Sequence, residues 1–156
     1  MCGVDEAFSF PIVPRYAEVD QQGVVFNGHY LTWFDEASYG FFDHLGVRDA
    51  DFTAWQLDLQ VVHAEIDYFM PVRWRDRVRV EARGESVGTT SFALRFDVLR
   101  RNGDGVEVVA ARGRNVYVVV STTDWAKREV PPGLRGALTS LAGQGRNATP
   151  GGTVTP

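Results

Sequence analysis

The sequence of 156 residues contains one cysteine, Cys2, so no pair of cysteines can form an intrachain disulfide. This excludes a small secreted scaffold held together by disulfides and favours a reducing compartment. The sequence also lacks a basic region followed by a short apolar run, which a secretory signal needs. Its apolar runs are too short to span a bilayer. We therefore expect a cytoplasmic protein with no membrane partner.

The sequence also has fewer basic than acidic residues. Sixteen lysines and arginines stand against 20 acidic residues, which gives a formal net charge of −4 and a pI near 5.3. This balance argues against a nucleic-acid partner. His63 and Glu65 share one face of a predicted strand, but no third ligand follows at a suitable spacing, so we predict no metal site.

What the chain does have is a long aromatic stretch at residues 19–46. Apolar side chains recur there at helical spacing, namely Tyr30, Phe34, Ala37, Phe41 and Leu45. Asn27 is a good N-cap residue, and Gly46 suits the left-handed position just after a helix end. The pattern predicts a largely buried helix over residues 27–45.

The polar turn before this helix carries one acid, Asp20. It lies seven residues before Asn27, and Gly23 allows the chain to turn between them. The start of a helix offers unpaired amides and a partial positive charge, which suit a developing oxyanion. A carboxylate facing such a helix start is a candidate hydrolytic site.

The rest of the chain reads mainly as strands. Alternation of apolar and polar residues predicts strands at residues 8–15, 57–72, 76–86, 91–101 and 106–121. We expect a polar connection at 47–56 that is irregular or forms one short helical turn, and a short helix at 134–141. The order indicates an α+β domain over residues 1–142, with a five-stranded antiparallel sheet wrapped around one long central helix. Residues 143–156 are rich in Gly, Thr and Pro, and we expect a disordered tail.

The strand predicted at residues 57–72 is long and largely apolar. If the three later strands form a meander, this strand lies at an edge of the sheet, where unpaired backbone groups invite a second copy to pair. A homodimer with one continuous sheet would satisfy that edge.

The turn and helix together resemble a known family. The run D-Q-Q-G-V-V-F-N-G-H-Y from Asp20 to Tyr30 resembles the motif of the 4-hydroxybenzoyl-CoA thioesterase-like family, which has the hotdog fold. The likeness continues through W-F-D-E-A-S in the helix. It extends more weakly through D-Y-F-M-P-V-R-W-R-D-R-V, T-S-F-A-L-R-F and the final Y-V-V-V strand.

This resemblance implies an acyl-CoA thioesterase that acts on a CoA or carrier-protein thioester, as a homodimer or a tetramer. It implies no metal or redox cofactor, with CoA entering as part of the substrate. Asp20 matches the catalytic carboxylate of the family, and the amide of Asn27 matches the donor to the thioester carbonyl. The expected substrate-binding residues are Gly23, Val25, Phe26, Asn27, Gly28, His29 and Tyr30.

One departure from the family concerns the CoA phosphates. Family members that bind these phosphates with a basic cluster carry it before the fourth strand, where this chain has Gly88-Thr89-Thr90 and no charge. A different contact, a lower affinity or a carrier-protein substrate would each account for this. An alternative basic run is either a solvated face or a phosphate site, and it consists of Arg73, Arg75, Arg77 and Arg79.

Several alternatives stay open at this stage. Asp20 could act as a nucleophile, act as a general base, or be no more than a solvated turn residue. His29 could pair with Asp20 in a hydratase or dehydratase, or it could simply lie at a pocket rim. Glu36 is a helix carboxylate of the kind that some hotdog enzymes use, although a solvated position fits its spacing better. A non-catalytic acyl-CoA-binding module is the remaining alternative.

Overall fold

A computed structural model describes residues 7–142 of the chain. The elements in chain order are β1 Ser9–Ile12, a 3₁₀ helix Tyr16–Glu18, α1 His29–His44, α2 Asp49–Trp55, β2 Leu57–Tyr68, β3 Arg77–Val87, β4 Ser91–Arg101, β5 Glu107–Ser121 and α3 Pro132–Ala142. Cys2 and the expected tail at 143–156 lie outside the described residues, so the expectations about them stay predictions.

The five strands form one antiparallel sheet in the order β1-β3-β4-β5-β2. Strands β3, β4 and β5 are the predicted meander, with β4 at the centre. Strand β1, which contains Pro11, lies at one edge, where a residue without an N–H group is tolerated. Strand β2 lies at the other edge, as the sequence predicted.

Helix α1 packs across the inner face of this sheet. Its buried residues are Tyr30, Trp33, Phe34, Ala37, Ser38, Phe41 and Phe42. Phe34 is fully buried and stacks on Phe96 of β4, with 4.6 Å between ring centroids. Gly113 of β5 lies directly beneath the Phe34 ring and allows this close approach: a Cβ atom there would fall 2.2 Å from Phe34 Cε2.

The two ends of α1 differ in how well the sequence predicted them. Gly46 takes φ +80°, and its amide donates to the Asp43 carbonyl while the Val47 amide donates to the Phe42 carbonyl. This confirms the predicted glycine-terminated helix end. The predicted N-cap is wrong, because Gly28 occupies that position and no side chain caps the helix. Asn27 instead belongs to the preceding turn.

Two other boundaries also differ from the prediction. The connection at 47–56 contains α2, which is longer than the single helical turn that we considered there, because Phe52 and Trp55 share one face and pack against the core. The strand predicted to reach residue 72 ends at Tyr68. Pro71 has no N–H group to continue the ladder, and the chain leaves the sheet as a loop over residues 69–76.

Ion pairs cover the outer face of the sheet. Asp97, which is buried, accepts from Arg112 Nε at 2.7 Å and from Arg83 at 3.3 Å. Glu107 accepts two hydrogen bonds from Arg79, at 2.7 and 3.0 Å. Glu85 pairs in the same way with Arg95 and Arg114. Arginine on this part of the sheet is therefore matched by carboxylates, and Arg79 is committed to the sheet.

A buried carboxylate ties the turn before α1 to the helix. Glu18 is only 3% exposed. It accepts from Trp33 Nε1 at 3.0 Å and from the Arg15 amide at 2.8 Å. Burial alone raises the pKa of Glu18, but the hydrogen bonds from Arg15 and Trp33 outweigh it and hold the pKa below its usual value of 4.5.

We predict that Gly113→Ala destabilises the protein by about 1–3 kcal/mol, because the added methyl group must displace the enclosed Phe34 ring. Gly136→Ala is the matched control, since an added Cβ in α3 meets nothing within 4 Å and alanine favours a helix. Urea unfolding of both variants tests this. Equal stability of the two would contradict the contact.

We also predict that Glu18→Gln lowers the free energy of unfolding by about 1.5–3 kcal/mol at neutral pH, because a charged acceptor of several hydrogen bonds is lost. The pKa of Glu18 is lower in the folded than in the unfolded chain, so its contribution is present above pH 4.5. It is lost as the pH falls through the folded-state value. Urea unfolding across this range should show the difference between wild type and variant shrinking; a constant difference would exclude the charge effect.

Candidate active site

The turn that carries Asp20 closes on itself. The Asp20 amide donates to the Val24 carbonyl at 2.8 Å, and the Gly23 amide donates to the Asp20 carbonyl at 3.0 Å. Gly23 has φ +77°, a conformation that favours glycine. A bridge between Val19 and Val25 closes the base of the turn. Short-range geometry therefore determines where the acid lies.

The Asp20 carboxylate is half-buried, and only one of its oxygens serves the turn. Oδ1 accepts from the Gln22 amide at 2.8 Å and more weakly from the Val24 amide at 3.4 Å. Within residues 7–142, no donor is bonded to Oδ2. The side chain thus has the turn role that we considered as an alternative, and its second oxygen has no donor among the described residues.

The two residues just before α1 have backbone amides that are not used by the described part of the fold. The neighbouring amides are used: Val25 donates to the Val72 carbonyl at 2.7 Å and Phe26 donates to the Glu18 carbonyl at 2.9 Å. The amides of Asn27 and Gly28, in contrast, donate to no acceptor among the described residues. They lie at the positive end of the helix dipole. This pair can donate to an anion or a polarised carbonyl oxygen.

A cavity of about 250 Å³ lies beside these amides, between the helix start and the end of β2. Its walls are Val24, Val25, Asn27, Tyr30, Tyr68, Phe69, Met70 and Pro71. The Tyr68 hydroxyl donates to the Asn27 carbonyl at 2.9 Å, and its ring meets that of Tyr30 edge-on at 5.1 Å. Burial raises the pKa of Tyr30 to about 12. Both rings thus present neutral walls.

The cavity brings some of the sequence-predicted residues together. Val25, Asn27 and Tyr30 line it, and the turn that holds Asp20 and Gly23 leads into its wall at Val24. The side chain of Asp20 is not part of the lining.

Phe26, Gly28 and His29 also lie outside the lining. Phe26 is exposed and meets the His29 ring edge-on at 5.9 Å. No hydrogen bond joins His29 to Asp20 in the part of the chain that the structure describes. The acid–histidine pair of a hydratase is thus not formed in this arrangement.

Sequence reasoning missed five residues of the cavity wall, Val24, Tyr68, Phe69, Met70 and Pro71. The last four were assigned to the long edge strand, where a tyrosine reads as one more alternating apolar residue. It also missed Glu18, which reads as an ordinary surface acid. The indole of Trp33, fifteen residues away, is what retains its carboxylate in the interior.

No group of three or more His, Cys, Asp or Glu side chains within residues 7–142 is arranged to hold a metal ion. None of the helices there is both long enough and apolar enough to cross a membrane.

Comparison with known proteins identifies the family. The profile of the thioesterase-like superfamily matches residues 14–138. A 1,4-dihydroxy-2-naphthoyl-CoA hydrolase of Prochlorococcus marinus is 27% identical over 112 residues, which are 67% of this chain and 72% of the relative.

Solved structures agree. A protein from Pseudomonas aeruginosa strain PAO1 superposes with a TM-score of 0.76 at 28% identity, covering 86% of this chain and 90% of that one. A mutant 4-hydroxybenzoyl CoA thioesterase, complexed with 4-hydroxybenzoyl CoA, superposes with a TM-score of 0.78 over 85% of this chain and 98% of its own. At 18% sequence identity, this superposition shows that the two chains share a fold.

The predicted hotdog fold and the predicted relationship to thioesterases are therefore confirmed. This chain is a thioester hydrolase, and it belongs to the thioesterase-like superfamily.

Proposed function

We propose that this thioesterase hydrolyses an aromatic acyl-CoA at the start of α1, with Asp20 as the reacting carboxylate and the amides of Asn27 and Gly28 as oxyanion donors. The observation that carries the proposal is the pair of amides without a described acceptor, directly after the turn that holds Asp20. Preorganised donors of this kind stabilise a developing negative charge, and a single one contributes roughly 2.7–4 kcal/mol where removal has been measured.

Two routes use these groups. In the nucleophilic route, Asp20 Oδ2 attacks the thioester carbon, the C–S bond breaks and CoA leaves as a thiolate that takes a proton from water. Water then hydrolyses the mixed anhydride. In the general-base route, Asp20 takes a proton from a water molecule that attacks the same carbon. The C–S bond then breaks, and the CoA thiolate leaves and takes up that proton from Asp20 or from water. Both routes need only a carboxylate, backbone amides and water, so we propose that CoA enters solely as part of the substrate.

Two features support an aromatic acyl group. The curated relative above is named for an aromatic CoA thioester, and three rings line the cavity beside the free amides, those of Tyr30, Tyr68 and Phe69. Stacked and edge-on contacts between such rings and an aryl group add about 0.5–1.5 kcal/mol beyond burial.

We propose that the working enzyme is a homodimer that pairs two copies of β2. This strand is an edge, and it exposes Val61 and Val62, while Leu31 and Tyr39 of α1 are exposed as well. Exposed apolar groups beside unpaired backbone favour association of two copies. A second copy on this edge would also cover the open side of the cavity at Tyr68. Two such dimers could associate further into a tetramer.

We predict that Asp20→Asn lowers kcat at least about a hundredfold, because the amide can neither attack the thioester nor accept a proton. The turn should survive, since asparagine Oδ1 can still accept from Gln22. Asp104→Asn is the matched control: Asp104 accepts from the Val106 amide at 2.9 Å in an equivalent turn. Free-thiol release from a panel of aryl and alkyl acyl-CoAs measures both variants. Near-normal turnover of Asp20→Asn would leave Asp20 with a turn role only.

We predict that Val62→Lys weakens the dimer at least about tenfold, which is about 1.4 kcal/mol. Val62 is 59% exposed at the middle of β2, so the two-fold axis would bring two new lysines together. Val106→Lys is the control, because Val106 is similarly exposed, at 55%, in the hairpin between β4 and β5. Sedimentation at several concentrations tests both. Identical behaviour of the two variants would rule out pairing through β2.

A further inference from the structure

One end of the molecule is rich in arginines that form no salt bridge among the described residues. We call this the basic end and define it as Arg73, Arg75, Arg77, Arg100 and Arg101. None of the five makes a salt bridge within residues 7–142. Arg77 and Arg101 lie on the same face of the sheet as Arg79, which does have a carboxylate partner.

The arrangement of these arginines is unfavourable for the fold by itself. Arg77 of β3 and Arg101 of β4 are directly opposite each other in the sheet register, and like charges at opposite positions destabilise a sheet. Glu107 is opposite Arg101 on β5 and attracts its charge, but both of its oxygens already accept hydrogen bonds from Arg79. An anionic ligand would relieve this repulsion.

Two exposed aromatic rings accompany the charge. Trp74 is 45% exposed and Tyr16 is 75% exposed, and their rings meet edge-on at 5.4 Å. The Arg75 guanidinium lies 4.2 Å from the centre of the Trp74 ring, and Arg75 holds the left-handed φ of +72°. An aromatic surface framed by arginines suits a nucleobase that carries phosphates.

The basic end is directly connected to the candidate active site. The loop over 69–76 starts in the cavity wall and is bonded to the catalytic turn through the Val72 carbonyl and the Val25 amide. Trp74 is three residues beyond Pro71, so the chain allows at most about 11 Å between their Cα atoms.

The turn at Gly88-Thr89-Thr90, in contrast, follows the far end of β3, roughly 33 Å from Arg77 along the strand. The one arginine that contacts this turn, among the described residues, is Arg135, which donates to the Gly88 carbonyl at 2.6 Å.

We infer that the basic end binds the 3′-phospho-ADP part of CoA, with the arginines holding its phosphates and Trp74 and Tyr16 stacking against its adenine. This inference rests on the proposed acyl-CoA thioesterase function. It assigns the nucleotide to the same end of the folded domain as the reacting carbonyl. The uncharged turn at 88–90 is then no obstacle to CoA binding.

The test compares one acyl group on two carriers, CoA and pantetheine, of which the second lacks the nucleotide. Trp74→Ala and Arg101→Gln should each raise KM for the acyl-CoA roughly ten- to hundredfold, as expected for a lost charge-assisted or stacking contact, and leave kcat within about twofold. Neither should change the kinetics with acyl-pantetheine. Arg101→Gln should also keep or raise Tm, because it removes the repulsion with Arg77.

Two matched variants serve as controls. Arg128→Gln removes an exposed arginine that pairs with Asp124 away from this loop, and it should leave KM unchanged. Arg135→Gln examines the turn at 88–90 as the competing phosphate site. A rise in KM for Arg135→Gln but not for Arg101→Gln would overturn the inference. So would an effect of the basic-end variants on an acyl-carrier-protein thioester alone.

Calorimetric binding of 3′,5′-ADP decides the inference independently of turnover. Wild type should bind it, and Trp74→Ala and Arg101→Gln should bind it at least about tenfold more weakly. Equal affinity for all three proteins would refute the nucleotide site. If neither thioester were hydrolysed while this difference in binding held, the proposed function would fail and the nucleotide site would stand.

Discussion

The hydrogen bond between the buried carboxylate of Glu18 and the indole of Trp33 is the contact on which the site depends. It joins the short 3₁₀ helix at Tyr16–Glu18, which leads into the Asp20 turn, to helix α1. Because Glu18 also accepts the Phe26 amide through its carbonyl, the same residue positions both sides of the turn that holds Asp20. Without such buried contacts, a surface loop would not hold the Asp20 carboxylate near the start of α1.

The direction of the elements then concentrates the chemistry at one end of the domain. Strand β2 runs antiparallel to α1, so its last residue, Tyr68, meets the first turn of the helix. The loop that follows β2 leads from the cavity wall to Trp74 and its neighbouring arginines. Acyl group, thioester and nucleotide can therefore lie along a single chain segment, while the exposed edge of β2 is left for a second copy.

Sequence reasoning located the helix, the meander, the edge strand and the Asp20 turn, because each rests on local patterns of spacing and on Gly23 or Gly46. It misplaced the N-cap at Asn27. The two amides before Asn27 donate to the carbonyls of Val72 and Glu18, and the Asn27 carbonyl accepts from the Tyr68 hydroxyl. These long-range hydrogen bonds fix Asn27 in the turn and displace the expected side-chain cap. Sequence reasoning also left α2 open between an irregular connection and one helical turn, because the apolar face formed by Phe52 and Trp55 is recognisable only from its packing against the core.

The sequence by itself determined the family, the order of α1 and the strands, and the acid before the helix, because all three depend on short-range motifs. The tertiary structure alone decided which groups meet. Sheet register set Arg77 against Arg101, and packing of α1 brought Trp33 to Glu18 and Phe34 over Gly113. Such contacts join residues far apart in the chain, and local periodicity does not determine which distant residues come into contact.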